Sequence, residues 1–341
     1  MSTNFESEIR SQGAILAARA ARSQELAERT KELWRDTSYL LVAARGSSDN
    51  AALYFQYLVG QHVGKVVALA TPSLFENGHS LDMKNAGVLA ISQSGRSPGI
   101  VDVVQAARQQ GCPVSGITNA VDSPLAQNCN LVIGLEVGPE LAIASTKTFT
   151  ATAQTLAQIA STLGERPLPE LERFASYVAA VVEFALNAEL PLHLLNQERG
   201  FTVVGRGVGF AAAAEISLKI REVTGIKAEA YSAADFVHGP IGADGQNAAL
   251  LVVVTDEMSD ELVAKLLADC SAKGMQTVVV RPPNRQGFSA SGEIVLPEHA
   301  PNWLVPMGQV ALGQVLALRL GILRGRPIDT APGLAKVTLT A

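Results

Sequence analysis

The chain has 341 residues and a formal net charge of −5, with 48% hydrophobic and only 17% charged residues. A composition this apolar excludes an intrinsically disordered chain, and the length suggests about two domains. The chain is mildly acidic and has no long run of Lys or Arg. It therefore lacks the positively charged segment that binding to a nucleic-acid backbone requires. Nucleic acid is therefore not expected as a partner.

The chain carries no signal for a membrane or for secretion. Its purely apolar stretches, such as 248–254, are far shorter than the ~20 residues that span a bilayer. We therefore expect a cytoplasmic protein that makes no membrane contact. The three cysteines show no Cys-x-x-Cys spacing and the five histidines are scattered, so neither a metal nor a cofactor is predicted.

The elements in chain order are typical of an α/β protein. A segment rich in Ala, Glu, Arg and Leu predicts helix over residues 6–35. Short apolar runs then alternate with helical patterns, as in a parallel sheet that is covered on both faces. The predicted strands begin at Tyr39, Val66, Gly87, Val114 and Leu131, and the last two predicted helices of this half are 98–110 and about 146–163.

The second half of the chain repeats the first. Residues 40–46 match residues 201–207, and residues 88–92 match residues 249–253, both at an offset of 161. A stretch with two prolines at 164–170 marks the boundary between the halves. We expect an N-terminal helical segment over 1–35, a first domain over 36–165, a helical linker over 166–195, a second domain over 196–325 and a tail over 326–341.

A hydroxyl-rich loop follows the third predicted strand. It contains Ser92, Ser94 and Ser97, with Gly95 between them and a proline at the first position of the next helix. Because hydroxyls and helix N-terminal amides together bind anions, this loop favours a phosphate over an ordinary capped turn. A second cluster of this kind, 144–148, precedes another predicted helix. No P-loop is present, and Phe210 stands where a dinucleotide fingerprint needs its third glycine.

The candidate residues for proton transfer lie in the second half. Lys219 and Glu222 are spaced to share one helical face, a pattern that alone is typical of a solvated ion pair. His238 precedes a Gly-Pro break, and a histidine with a nearby carboxylate is a common pair for moving protons. Lys336 lies in an apolar tail, where docking would favour a nucleophilic amine, although a free terminal lysine is the simpler interpretation.

Five motifs, in order, resemble the tandem sugar isomerase (SIS) domain family, in particular the isomerase half of glucosamine-6-phosphate synthase. They are Ser-Gln-Ser-Gly at 92–95, Ala-Ser-Thr-Lys at 144–147, Ala-Glu-Ala-Tyr at 228–231, His-Gly-Pro at 238–240 and Leu-Ala-Lys at 334–336. The resemblance implies an α/β fold of two tandem SIS domains, each a three-layer αβα sandwich with a mainly parallel sheet.

The resemblance also implies roles for single residues. Glu222 matches the base that moves a proton between C1 and C2, with Lys219 on the same helix, and His238 matches a ring-opening histidine that the neighbouring subunit supplies. Lys336 matches the lysine that opens the keto sugar and forms a Schiff base with it. The implied partners are a small sugar phosphate and a second subunit, in a homodimer with shared active sites. The implied substrate-binding residues are Ser48, Ser92, Gln93, Ser94, Ser97, Ala144, Ser145 and Ala335.

Two departures from the synthase point to a different reaction. Ser2, not a cysteine, follows Met1, so no glutaminase domain is expected, and Arg96 replaces the acidic residue usual in the synthase loop. We therefore expect a deaminating isomerase that converts glucosamine 6-phosphate, or a close amino-sugar phosphate, to fructose 6-phosphate and ammonia. The alternatives are a deglycase acting on fructosyl-amino-acid phosphates and a non-catalytic sugar-phosphate sensor.

Overall fold

The computed structural model describes residues 2–79 and 81–330. The chain divides into two compact units. What we call the first unit contains residues 15–140 and 147–172, and the second unit contains residues 2–14, 141–146 and 173–330 within the described ranges. Each unit contains one five-stranded sheet.

The helices and strands follow the predicted alternation. The first half runs α1 (Asn4–Leu33), β1 (Tyr39–Ala43), α2 (Ser47–His62), β2 (Val67–Leu69), α3 (Pro72–Glu76), β3 (Ala86–Ile91), α4 (Pro98–Gln109), β4 (Val114–Thr118), α5 (Pro124–Gln127), β5 (Leu131–Gly134) and α6 (Lys147–Leu163). The second half runs α7 (Phe174–Asn187), α8 (Leu192–Leu195), β6 (Gly200–Gly205), α9 (Val208–Thr224), β7 (Ala228–Ser232), α10 (Ala233–Val237), β8 (Ala248–Val253), α11 (Asp260–Ala272), β9 (Gln276–Arg281), β10 (Gly292–Val295) and α12 (Val305–Leu323).

The two sheets have the same strand order. The first is β2-β1-β3-β4-β5, and the second, written from the matching edge, is β7-β6-β8-β9-β10. Every neighbouring pair is parallel, with Leu41 opposite Val88 in the first sheet and Thr202 opposite Leu250 in the second. The predicted α/β fold, with two mainly parallel sheets flanked by helices, is confirmed.

The sheet cores explain the unbroken apolar runs in the sequence. All six residues of β3 and all six of β8 are buried, because helices cover both faces of each sheet. In each sheet the chain moves outward in both directions from one central strand pair, β1 with β3 and β6 with β8. Open parallel sheets bind ligands in the crevice at such a switch point, beside the carboxyl ends of the strands.

Helix α12 is long and apolar enough to cross a membrane by length and composition alone. However, 89% of its 18-residue apolar stretch is buried inside the protein. It packs against α9 and α7 in the second unit. This burial is typical of a core helix, whose sequence is apolar on all sides because neighbouring elements surround it.

Candidate functional site

The loop after β3 is held by its own serine hydroxyls. Ser92 is buried, and its Oγ lies 3.1 Å from the Oγ of Ser97. The Gly95 amide donates to Ser92 Oγ at 3.2 Å, and the Arg96 amide donates to Ser94 Oγ at 3.3 Å. The loop therefore brings the hydroxyls of Ser92 and Ser97 together at the carboxyl end of β3, with the Ser94 hydroxyl held by the loop backbone.

Only glycine fits at position 95 of this loop. Gly95 has φ +62°, and a Cβ there would overlap the side chain of Ser123. The Gly95 carbonyl also accepts a hydrogen bond from the Leu125 amide at 3.0 Å. The close approach fixes the loop against the segment that begins α5.

Helix α4 begins at this loop, and its N-cap residue does not cap it. Ser97 has the extended backbone of an N-cap, but its hydroxyl faces Ser92 and makes no capping bond. Arg45, just after β1, forms an ion pair with Glu76, and a Cβ at Gly99 would overlap this pair. The first turn of α4 therefore lies beside hydroxyls, whose donors suit a phosphate, and beside the Arg45–Glu76 ion pair, which brings a carboxylate as well as a guanidinium group.

The remaining predicted binding residues lie on other segments of the chain. Ser48 is half-buried in the first turn of α2, after β1, and the carbonyl of Gln93 accepts from the Asn119 amide at 3.0 Å. Ala144 is buried and Ser145 is half-buried in the loop before α6. Ala335 lies outside the described residues, as does Lys336.

An acidic side chain of the protein already occupies the start of α6. Glu140 accepts from the Thr148 amide at 3.0 Å and from the Thr148 hydroxyl at 2.7 Å. This carboxylate interacts favourably with the positive end of the helix dipole. Glu140 therefore caps α6, and the Thr148 hydroxyl of the second hydroxyl cluster donates to that cap.

Helix α9 carries a buried cation between two carboxylates. The Lys219 Nζ lies 2.5 Å from Glu222 Oε2 and 3.5 Å from Glu215 Oε1. The side chains of Lys219 and Glu215 are 1% and 0% exposed, whereas that of Glu222 is 20% exposed. The pair is thus not the solvated surface pair that the spacing alone favours. Glu222 is the carboxylate of this group that reaches solvent.

His238 follows α10, where the Ser232 hydroxyl caps the helix at the Asp235 amide. The His238 side chain is exposed, and the described residues offer its imidazole no hydrogen bond. No hydrogen bond or ion pair of the described residues joins His238 to Glu222. Both residues belong to the second unit, while the hydroxyls of the loop after β3 belong to the first.

Two charged residues near these groups were not singled out by sequence reasoning. Glu215 could have been found from its i, i+4 spacing to Lys219 on α9. Arg45 had no comparable signal, because its partner Glu76 is 31 residues away. Within residues 2–79 and 81–330, no group of three or more His, Cys, Asp or Glu side chains is placed to hold a metal ion.

Comparison with known proteins gives one family and a consistent set of relatives. The SIS domain family matches residues 34–161 and 194–281. An isomerizing glutamine–fructose-6-phosphate aminotransferase of Halobacterium salinarum is 26% identical over 321 residues, which are 91% of this chain and 53% of that protein. The chain thus spans about half the length of the curated relatives it matches.

Solved structures share the fold along nearly the whole chain. The C-terminal domain of glucosamine-fructose-6-phosphate aminotransferase from Francisella tularensis has a TM-score of 0.87 at 20% identity, covering 96% of this chain and 98% of that one. A glucosamine-6-phosphate deaminase from Thermotoga maritima has a TM-score of 0.77 at 20% identity, covering 99% of this chain and 100% of that one. At these identities the likeness concerns the fold.

Proposed function

The chain belongs to the SIS domain family, and on this basis we propose that it is a phosphosugar isomerase. We propose further that its reaction is deaminating: glucosamine 6-phosphate, or a close amino-sugar phosphate, and water become fructose 6-phosphate and ammonia. The observation that carries the proposal is the Glu222 carboxylate, which is partly exposed and bonded at 2.5 Å to a buried lysine. An acid that is held in place and open to solvent suits a proton-transfer base.

The serine loop would hold the phosphate of the substrate. The hydroxyls of Ser92, Ser94 and Ser97 and the amides at the start of α4 are donors suited to its oxygens. Fixing the phosphate positions the sugar carbons for reaction, which by itself can lower a barrier substantially. Ser48 and Ser145 are the further hydroxyls that we assign to substrate binding.

The reaction needs only proton transfers and water. After ring opening, assisted by His238, Glu222 removes the proton from C2 of the amino aldose and delivers it to C1. A second proton passes from the amine nitrogen to O1, so the product is a ketose-level imine at C2. Water then adds to this carbon and displaces ammonia. Lys219, bonded to Glu222 Oε2, would hold the Glu222 side chain in position for the two transfers. Lys336, outside the described residues, is assigned to ring opening or to imine formation.

The relatives support the two parts of this proposal differently. The aminotransferase of Halobacterium salinarum supports chemistry on a phosphorylated sugar, but only 53% of that protein is matched. The Thermotoga maritima protein shares the fold over its full length and is named a deaminase. This pattern favours release of ammonia as the reaction to test first.

The decisive experiment is a coupled assay on EDTA-treated protein with glucosamine 6-phosphate, which follows ammonia and fructose 6-phosphate together. We expect both products in equal amounts. Glu222→Gln should lower kcat by about a thousandfold, within the range that general acid–base groups contribute, and should leave KM nearly unchanged. Glu261→Gln, an exposed acid in the first turn of α11, is the matched control.

Other outcomes would select an alternative. If substrate binds but neither product forms, the deaminase proposal is wrong, and fructosyl-amino-acid phosphates become the next substrates to assay for the deglycase. If no amine is released from these either, a sugar-phosphate sensor explains the binding. Equal losses of binding and turnover in Glu222→Gln would make Glu222 a structural residue. The homodimer with shared sites stays a prediction, which the mass of the purified protein by light scattering checks.

A further inference from the structure

The duplicated halves contain matching helix starts. Helices α2 and α9 follow β1 and β6, and each begins after a glycine, Gly46 and Gly207, which are 161 residues apart. Gly46 has φ 61° and ψ −132°, and Gly207 has φ 55° and ψ −132°. The two turns therefore have the same backbone conformation, at the switch point of each sheet.

The two turns differ in what lies against them. The amide of Val208, the first residue of α9, donates to Glu257 Oε2 at 2.7 Å, and a Cβ at Gly207 would overlap this carboxylate. At Gly46, apart from the glycine and its two chain neighbours, no atom of the described residues lies within 4 Å of the corresponding Cβ position. In the second unit, a carboxylate of the protein fills the space that glycine leaves at the helix start.

The loop that carries Glu257 is held in place from two sides. Arg285, whose side chain is 13% exposed, donates to the carbonyls of Thr255 and Met258 at 2.8 Å each and forms an ion pair with Asp260. The Asp256 amide donates to Asn302 Oδ1 at 2.9 Å. Glu257 thus projects from a loop that is fixed on both sides of it.

The second helix that leaves this crevice is capped as well. Ser259 accepts a hydrogen bond from the Leu262 amide at 3.2 Å, in the normal manner of an N-cap serine. Its counterpart at the start of α4, Ser97, makes no such bond. Side chains of the protein itself therefore accept hydrogen bonds from first-turn amides of both helices at the β6–β8 crevice.

We propose that Glu257 is a resident anion that occupies the ligand crevice of the second SIS domain, so that each chain binds one sugar phosphate. A carboxylate at a helix N-terminus is stabilised by the helix dipole and by the amide it accepts from, as a bound phosphate oxygen would be. A phosphate entering the crevice would have to displace Glu257 and would meet its negative charge. The site expected in the first domain rests on the proposed function, whereas the closure of the second rests on Glu257.

The test counts phosphate sites per chain by equilibrium dialysis with inorganic phosphate. We expect one site in the wild-type protein and two in Glu257→Ala, because the α9 amide and the space beside Gly207 become available. The matched control is Glu261→Ala, which removes an exposed acid from the next helix and should keep one site. Glu257→Gln removes the charge but keeps the side chain, and it serves if the alanine variant does not fold.

The outcomes separate this proposal from the proposed function. Two sites in the wild-type protein, or an unchanged count in folded Glu257→Ala and Glu257→Gln, would overturn it and make Glu257 a structural cap alone. If the wild-type protein has no site and Glu257→Ala has one, the closed crevice is supported, but the proposed phosphate site of the first domain is wrong. A repeat of the dialysis with glucosamine 6-phosphate, on Glu222→Gln so that the ligand is not turned over, gives one site if the crevice is closed to sugar phosphates.

Discussion

The two sheets of this protein have one topology, but their central loops carry opposite chemistry. After β3 the loop contains hydroxyls that bond to each other and to backbone amides, while after β8 the loop contains acids, of which Glu257 binds the start of α9. The backbone conformation of Gly46 and Gly207 is the same in both. A duplicated fold therefore supplies two crevices with different side chains, hydroxyls in the first and a carboxylate in the second.

The helices that follow β1 and β6 differ in a second way. Helix α9 buries Lys219 between Glu215 and Glu222, whereas α2 contains no lysine, arginine or glutamate. The first domain thus has hydroxyls at a strand end, whereas the second has charged side chains buried within a helix. This division can be tested by comparing matched substitutions in the two units.

The largest effect is expected on the stability of the second unit. Lys219→Met removes the cation between two carboxylates, and breaking a buried ion pair in this way costs about 3–5 kcal/mol. Urea unfolding followed by circular dichroism measures the change. The matched control is Lys265→Met on α11, whose lysine is 74% exposed and pairs with Asp269, where a loss below about 1 kcal/mol is expected. Equal losses in the two variants would mean that burial adds nothing at Lys219.

Smaller effects are expected for the two N-cap serines, and they differ in kind: substitution of one should lower stability, and substitution of the other should raise KM. Ser259→Ala removes a capping bond and should lower the free energy of unfolding by about 1 kcal/mol, with no change in KM. Ser97→Ala removes a hydroxyl that caps nothing and should instead raise KM by about tenfold, the effect of one hydrogen bond to a charged group. Steady-state kinetics and urea titration on both variants give the comparison. A raised KM in Ser259→Ala would contradict the closed crevice of the second domain.

The smallest difference between the units is expected for their thiols. Burial raises the pKa of Cys129 in the first unit and of Cys270 in the second to about 12. Because the thiolate is the nucleophile, both should react with iodoacetamide at pH 8 roughly a thousandfold more slowly than an ordinary thiol of pKa ~8.5. Mass spectrometry of the labelled peptides measures both sites at once, and urea should expose them equally. Rapid labelling of either thiol in the folded protein would show that its burial is incomplete.

Local pattern was enough to predict most of the fold. The apolar runs at 87–92 and 114–118 become β3 and β4 nearly to the residue, because strands buried on both faces leave an unbroken apolar signal. The repeat at an offset of 161 predicted two similar domains, and the two sheets have the same strand order. The tertiary structure adds β7 at Ala228–Ser232, a strand that sequence reasoning did not predict and whose central residues Glu229 and Tyr231 bond to each other.

The candidate site was predicted in its residue types but not in its environments. The spacing of Lys219 and Glu222 predicted a shared helical face, but their contrast in burial depends on tertiary packing of α9, whose neighbours include α12, more than 80 residues away in the sequence. The bond between Glu257 and the α9 amide joins residues 49 positions apart, which no local pattern records.

The amino-acid sequence by itself determined the alternation of strands and helices, the duplication, and the serine loop with its glycine, because each depends on short-range periodicity or on the conformations open to single residues. Only the tertiary structure decided which carboxylates are buried, which helix starts are filled and which hydroxyls are left to face one another. Those properties depend on distant segments brought together by the sheet topology, and burial and charge act through distance in space rather than in sequence.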